Sequence, residues 1–185
     1  MDSRQDAELV SAARNGEKGA FRELVERHQA RVATTVIGML GRCPEAEDVG
    51  QETFIRFYRA LDSFRGDSSV SSFVTRIAIN LSLNELKRRK RQGLVFQSDV
   101  DMNSDGIVDE HGVADPYENR QLVFRALQEL PEDYRAVVVL RIIDGYSTLE
   151  TAGLLELPIG TVTSRLARGQ LKLKEIIRTL SGEAQ

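Results

Sequence analysis

Tryptophan is absent from this chain, cysteine occurs once and histidine twice. Each shortage removes a class of chemistry. A lone Cys43 forms no intrachain disulfide and no thiolate metal cluster. With His28 and His111 as the only imidazoles, a zinc site or a serine triad would need an unusual arrangement. No catalytic residue, no metal site and no cofactor is therefore assigned, and the chain is not expected to be an enzyme. No apolar run approaches the roughly 18 to 20 residues that a membrane span needs. The first stretch, MDSRQDAELV, starts acidic and lacks an apolar signal core. The expected location is the cytoplasm of a bacterium or an organelle, without membrane insertion.

What is present is a globular composition with a segregated charge. The 185 residues allow one medium domain or two small ones, and 41% apolar with 29% charged residues is ordinary for a folded protein. The net charge of −3 conceals three blocks. Residues 87–91 read KRRKR. From Phe96 to Asn119 there are seven acids (Asp99, Asp101, Asp105, Asp109, Glu110, Asp115 and Glu118) and no Lys or Arg. From Thr161 to Arg178 the chain is basic again, with Arg165, Arg168, Lys172, Lys174 and Arg178 against Glu175. Basic, acidic, basic is the pattern of two nucleic-acid-facing modules joined by a repelling linker.

Outside the acidic block the apolar periods are helical, and no strand alternation competes with them. Phe21, Leu24, Val25, His28, Val32, Val36 and Met39 recur at three- and four-residue steps. A second helix, EAEDVGQETFIRFYRAL, turns Ala46, Val49, Phe54, Phe57 and Leu61 inward, with Glu45, Glu47 and Asp48 at its positive N-terminal end. A third runs from about Val70 to Arg91. Helices resume near Pro116. PEDYRAVVVLRIIDG reads as one helix opening at Pro131 and stopping at Gly145. Ser147 and Glu150 have capping-box spacing ahead of a short helix. A tight turn and a long basic helix follow, which together spell helix-turn-helix.

Two helical faces suit nucleic acid. On the last helix, at about 100° per residue, Val162, Leu166, Gly169 and Leu173 form an apolar seam. Thr161, Arg165, Arg168 and Lys172 form a cationic stripe beside it, with Ser164 adjacent. Arg reads guanine edges bidentately in the major groove, and Lys and Thr hold phosphates. On the third helix Arg76, Asn80, Asn84, Lys87 and Arg91 share an arc centred near Phe73, while Val74, Ala78, Leu83 and Leu86 turn away. Asn between cations can meet base edges as well as phosphates. For either helix the competing reading is a solvated outer face.

Four segments, in order and spacing, resemble the sigma-70 family of bacterial transcription initiation factors, in its extracytoplasmic-function (ECF) group. They are GEKGAFRELVERHQARV, EAEDVGQETFIRFYRALDSFRGD, VTRIAINLSLNELKRRKR and LPEDYRAVVVLRIIDGYSTLETAGLLELPIGTVTSRLARGQLKL, and they cover nearly the whole chain. The resemblance implies an all-α protein of two small helical domains, an N-terminal bundle and a C-terminal helix-turn-helix, joined by a flexible acidic linker. The bounds are residues 1–93 for the region 2 domain, 94–115 for the linker and 116–185 for the region 4 domain. It implies core RNA polymerase (the clamp and flap of its large subunits), promoter DNA and an anti-sigma factor as partners, and a cytoplasmic, nucleoid-associated location. Asp48, Gln51, Glu52 and Phe54 resemble the surface that grips the polymerase clamp. Arg76, Asn80, Asn84, Lys87, Arg88 and Arg91 lie in a helix that resembles the element that reads and melts the −10 element, and FRGDSSVSS resembles the loop that holds a flipped base. Thr161, Thr163, Ser164, Arg165, Arg168 and Lys172 lie in a helix that resembles the −35 reader. Four positions depart from the family pattern. Phe73 stands for Trp, Thr75 for Tyr, Asn84 for an acid and Glu156 for the glycine of the turn, so aromatic stacking during melting is thinner here.

Two other readings compete. A helix-turn-helix regulator would bind DNA without polymerase, although it would not need the match in the first ninety or so residues. A calcium module is suggested by DMNSDGIVDEHG, where Asp101, Asn103, Asp105 and Asp109 occupy loop positions 1, 3, 5 and 9 with Gly106 at 6. Position 12 is Gly112, where such a loop needs a bidentate carboxylate, and no amphipathic helix flanks it on either side. The stretch therefore reads as an acidic linker. Its carboxylates repel the DNA backbone and, by the resemblance, stand in for RNA phosphates in the exit path of polymerase.

Overall fold

The computed structural model describes residues 5–93 and 116–182, and among these every regular element is helical. The all-α expectation holds. Residues 94–115, which include the calcium-like stretch, lie outside the described residues.

The N-terminal unit comprises α1 (Asp6–Arg14), α2 (Lys18–Leu40), α3 (Pro44–Ala60), a 3-10 turn at Leu61–Ser63 and α4 (Val70–Arg91). The spacing in the sequence is the cause of this packing. Of the three-four repeat of α2, Leu24, His28, Val32, Val36 and Met39 are buried, while Phe21 and Val25 are half-buried. α3 buries Ala46, Val49, Thr53 and Phe57, with Pro44 in its first turn, where no backbone donor is lost. Ser69 caps α4, its hydroxyl accepting from the Ser72 amide at 3.0 Å. Phe57, Phe64 and Phe73 form an aromatic knot at the junction of α3 and α4, with centroids 5.0 to 6.3 Å apart. The short α1 carries no obvious period, yet it seats Leu9, Val10 and Ala13 in the core. His28 at its buried position meets Asp6 of α1 at 2.8 Å.

The C-terminal unit comprises α5 (Pro116–Glu129), α6 (Glu132–Val138), α7 (Thr148–Leu155) and α8 (Ile159–Leu180). The segment expected to be one helix from Pro131 to Gly145 is not uniform. Its end, Val139–Ile143, widens into a π turn, with the Asp144 amide bonded to the Val139 carbonyl at 2.9 Å. The expected capping box is formed, because Ser147 and Glu150 each bond the other's backbone amide. α8 crosses α6 at Gly169, where a Cβ would lie 2.9 Å from Val138 Cγ2 and 3.3 Å from Tyr134 Cβ. The close crossing therefore needs glycine. The two units pack together, α2 and α4 of the first against α5, α6, the π turn and α7 of the second.

Candidate nucleic-acid and polymerase interfaces

The orientation of α8 follows from its seam. Val162 and Gly169 are buried and Leu166 and Leu173 half-buried, so the stripe beside them faces out. Thr163, Ser164, Arg168 and Lys172 are exposed, and Thr161 and Arg165 are half-buried. Arg165 does not stand free, since its Nη2 meets Asp133 Oδ2 of α6 at 2.8 Å. The turn that aims α8 contains Glu156 at φ 54 and ψ 43, the one non-glycine residue in the left-handed region among the described residues. The resemblance puts a glycine at that position, and the backbone conformation explains why.

On α4 the six residues expected at the −10 element (Arg76, Asn80, Asn84, Lys87, Arg88 and Arg91) are all exposed. They are not equally available. Arg88 is held by Glu85, with Nε to Oε2 at 2.7 Å, and the two Arg88 bonds are the first cause of a Glu85 carboxyl held below its usual range. Arg76 donates from Nη2 to the Gly153 carbonyl of α7 at 3.0 Å. The KRRKR run is not one surface either. Arg89 is buried, donating to Glu85 at 3.0 Å, to Glu45 at 3.3 Å and to the Leu40 carbonyl at 3.4 Å. Thr75, where the family pattern has an aromatic, is fully buried and accepts from the Tyr146 hydroxyl at 2.9 Å.

On α3, Asp48 and Gln51 are exposed, while Glu52 and Phe54 are half-buried. Glu52 accepts from Arg56 Nε at 2.8 Å. Ile55 and Tyr58, exposed at 45% and 59%, lie in the helical phase of Asp48 and Gln51. The sequence reading missed both. Their signal was an apolar residue recurring in the phase of the exposed acids, which gives an apolar centre with a polar rim.

The chain matches the family descriptions Sigma-70 region 2 over residues 24–92 and Sigma-70, region 4 over residues 120–173. It is 38% identical to the ECF RNA polymerase sigma-E factor of Salmonella typhimurium, with 95% of each chain covered. It is 33% identical to the RNA polymerase sigma-H factor of Pseudomonas aeruginosa, with 100% of each covered. The chain belongs to the ECF group of the sigma-70 family. Among solved structures, CnrH in complex with the cytosolic domain of CnrY is similar at a TM-score of 0.67 and 26% identity, covering 94% of this chain and 97% of that one. The sigma factor RpoE of Bartonella quintana, in complex with the anti-sigma factor NepR, shares the fold at a TM-score of 0.67 and 23% identity, covering 85% of this chain and 96% of that one. Sigma factors confer promoter specificity on transcription initiation and are not enzymes. Among the described residues no helix is long and apolar enough to cross a membrane, and no cluster of His, Cys, Asp or Glu could hold a metal ion.

Proposed function

We propose that this ECF sigma factor binds core RNA polymerase through α3, meets the −10 element with α4 and reads the −35 element with α8. The domain bounds that go with this reading are 1–93, 94–115 and 116–185, with the acidic middle segment spanning the two DNA-reading units. The observation that carries it is the orientation of α8. Its apolar seam is fixed on α6 by Gly169, which leaves Thr163, Ser164, Arg168 and Lys172 as an outward polar face at the start of a helix-turn-helix second helix. Arg168 is the guanine reader, and Lys172, Thr161 and Thr163 hold phosphates. Arg165 joins them once freed from Asp133. On α4, Asn80 and Asn84 meet single-stranded bases during melting while Lys87 and Arg91 hold the backbone.

The clamp surface is Asp48, Gln51 and Glu52 around Ile55 and Tyr58, with Phe54 supporting them from beneath. The polymerase flap is the second contact, through the C-terminal unit. An anti-sigma factor is a further partner, since the similar solved sigma factor RpoE is in complex with one. The protein works in the bacterial cytoplasm at the nucleoid. Reconstitution with core polymerase tests the whole reading. Asp48→Arg and Glu52→Arg should fold normally and fail to be captured by polymerase, because reversed charge on an interface rim is repulsive. Normal holoenzyme yield from a folded Asp48→Arg protein would remove the clamp assignment.

A further inference from the structure

α1 lies outside the stretch that matches the family description, which begins at residue 24, and none of the assignments above uses it. It is tied down at both ends. At its start Asp6 accepts from Arg27 Nη1 at 3.1 Å and meets His28 Nε2 at 2.8 Å, both on α2. At its end Arg14 reaches across to the turn that closes α3. Arg14 Nε donates to the Leu61 carbonyl at 2.7 Å, and its Nη2 donates to the Phe64 carbonyl. These two carbonyls lie at the start and just past the end of the 3-10 turn Leu61–Ser63. Carbonyls at a helix end lack the partners of the interior, and one planar fork here serves two of them. Its charge also sits at the negative end of α3.

The loop Arg65–Ser69 follows Phe64 and leads into α4. Its five residues are all exposed, so it is held from its two ends. At the far end Ser69 caps α4. At the near end the Phe64 ring is buried against Phe57 and Phe73. Ring packing fixes where residue 64 sits but not the plane of the peptide that follows it. The Arg14 bond fixes that carbonyl, and with it the direction in which the loop departs.

We infer that Arg14 is a positioning residue for promoter recognition: by fixing the peptide planes at Leu61 and Phe64 it sets the loop Arg65–Ser69 in the form that receives an unstacked base of the −10 element. The inference rests on the reading above of α4, with the loop at its start, as the surface that meets the melted strand. A base that leaves the stack needs a pocket already in place, because a loop that orders only on binding loses part of the contact energy to its own ordering. Arg14 itself touches no base and acts through the turn.

The test uses holoenzyme reconstituted from the full chain and core polymerase, and a fluorescent single strand carrying the −10 element of a promoter that it transcribes. The strand is used intact and with each base removed in turn. Wild type should lose at least about fivefold in affinity at one position, the effect of one stacked base. Arg14→Ala should bind the intact strand as weakly as wild type binds the strand lacking that base, and removal of the base should cost it nothing further. Arg14→Lys should fall between the two, since an ammonium keeps the charge without the fork. Arg59→Ala removes an exposed cation from the last turn of α3 and should behave as wild type. Holoenzyme yield and −35 duplex binding should be unchanged in all three. In the free protein, amide hydrogen exchange at residues 64–69 should quicken in Arg14→Ala and stay at the wild-type rate along α2 and α4. A folded Arg14→Ala protein that keeps the wild-type penalty for base removal, or the wild-type exchange at residues 64–69, overturns the inference. So does equal weakening on the intact and base-free strands, or an Arg59→Ala protein that behaves like Arg14→Ala, because either marks a general effect of charge or stability. In each of those cases the wild-type penalty is present and the −10 reading stands. A wild type that transcribes yet is indifferent to removal of every base overturns the reading of the loop, and the inference falls with it.

Discussion

The helices α4 and α8 are both 22 residues long and both rich in cations, yet they carry those cations differently. α4 buries Val70, Val74, Thr75, Ala78, Ile79, Ser82 and Arg89, and it packs against α2, α3 and α7. α8 buries only Val162 and Gly169. A helix surrounded on several sides recruits its charges into structure. Arg89 goes inward, Arg88 pairs with Glu85, and Arg76 bonds the other unit. A helix fixed along one seam leaves its charges outside, with Arg165 alone in its stripe turned to an acid. The six Lys and Arg of α4 and the five of α8 thus mean different things. Under the proposed function a charge deletion on α4 should report on folding or on DNA, depending on the residue, whereas on α8 it should report mainly on DNA.

The sharpest expression of that difference is Arg89→Ala. Removing a buried guanidinium that serves Glu85, Glu45 and the Leu40 carbonyl should cost about 4 kcal/mol of unfolding free energy in denaturant melts. An unchanged midpoint with weakened DNA binding would place Arg89 with the DNA readers and erase the contrast between the helices.

The next largest effect concerns the contact of α2 with the C-terminal unit, where Thr35 Oγ1 donates to Asp144 Oδ2 at 2.8 Å. Burial pushes the Asp144 carboxyl up from 3.8 to about 6, against the lowering effects of the Thr35 hydroxyl and the Arg31 charge on α2. An acid whose folded pKa is raised binds its proton more tightly when folded, so stability falls as pH rises from about 4 to about 6. The cost is fully present above that window, at most about 3 kcal/mol. Asp144→Asn should flatten the pH dependence of the melting temperature between pH 4 and 6 and raise it at pH 7. An identical slope in the variant would show that another group titrates.

A smaller effect belongs to α8. Arg168→Ala should weaken −35 duplex binding by about 2 kcal/mol and leave the melting temperature within error, since it deletes an exposed side chain. A stability loss as large as that of Arg89→Ala would mean the two helices do not differ. The smallest effect is at the turn before α8. Glu156→Gly should stabilise the C-terminal unit by up to about 1 kcal/mol in denaturant melts, because φ 54 strains a side chain that glycine lacks. Destabilisation would show that the Glu156 side chain contributes more than its backbone costs.

Much of this was legible in the sequence because it is local. The three-four period of Phe21 to Met39 placed α2, and the Ser147–Glu150 spacing placed the start of α7. The phase of α4 put Asn80 and Asn84 outside and left Arg89 off the DNA arc. α1 escaped because nine residues with three buried apolar side chains hold too little periodicity to register. The π turn escaped because widening of a helix answers its tertiary neighbours rather than any composition. The contact between α2 and the C-terminal unit escaped for a stronger reason. Thr35 and Gly38 lie about a hundred positions from Asp144 and Val139, and no spacing rule links them. Arg135 was the visible hint, a single cation ahead of the apolar run Ala136–Leu140 that proved fully enclosed. The glycine missing at Glu156 was visible too, but its meaning became clear only with the backbone angle.

Transcription in vitro by reconstituted holoenzyme on paired promoters tests the central claim, that α8 reads the −35 element while α4 serves both fold and promoter. Wild type and Arg168→Ala are each run on an intact promoter and on one whose −35 element is replaced. Arg168→Ala should lose at least about tenfold on the intact promoter, the equivalent of one good base contact. It should lose nothing further on the replaced one, because the contact is already gone. An equal loss on both promoters would mean that Arg168 holds the protein or the phosphates in place and that α8 does not read sequence through it.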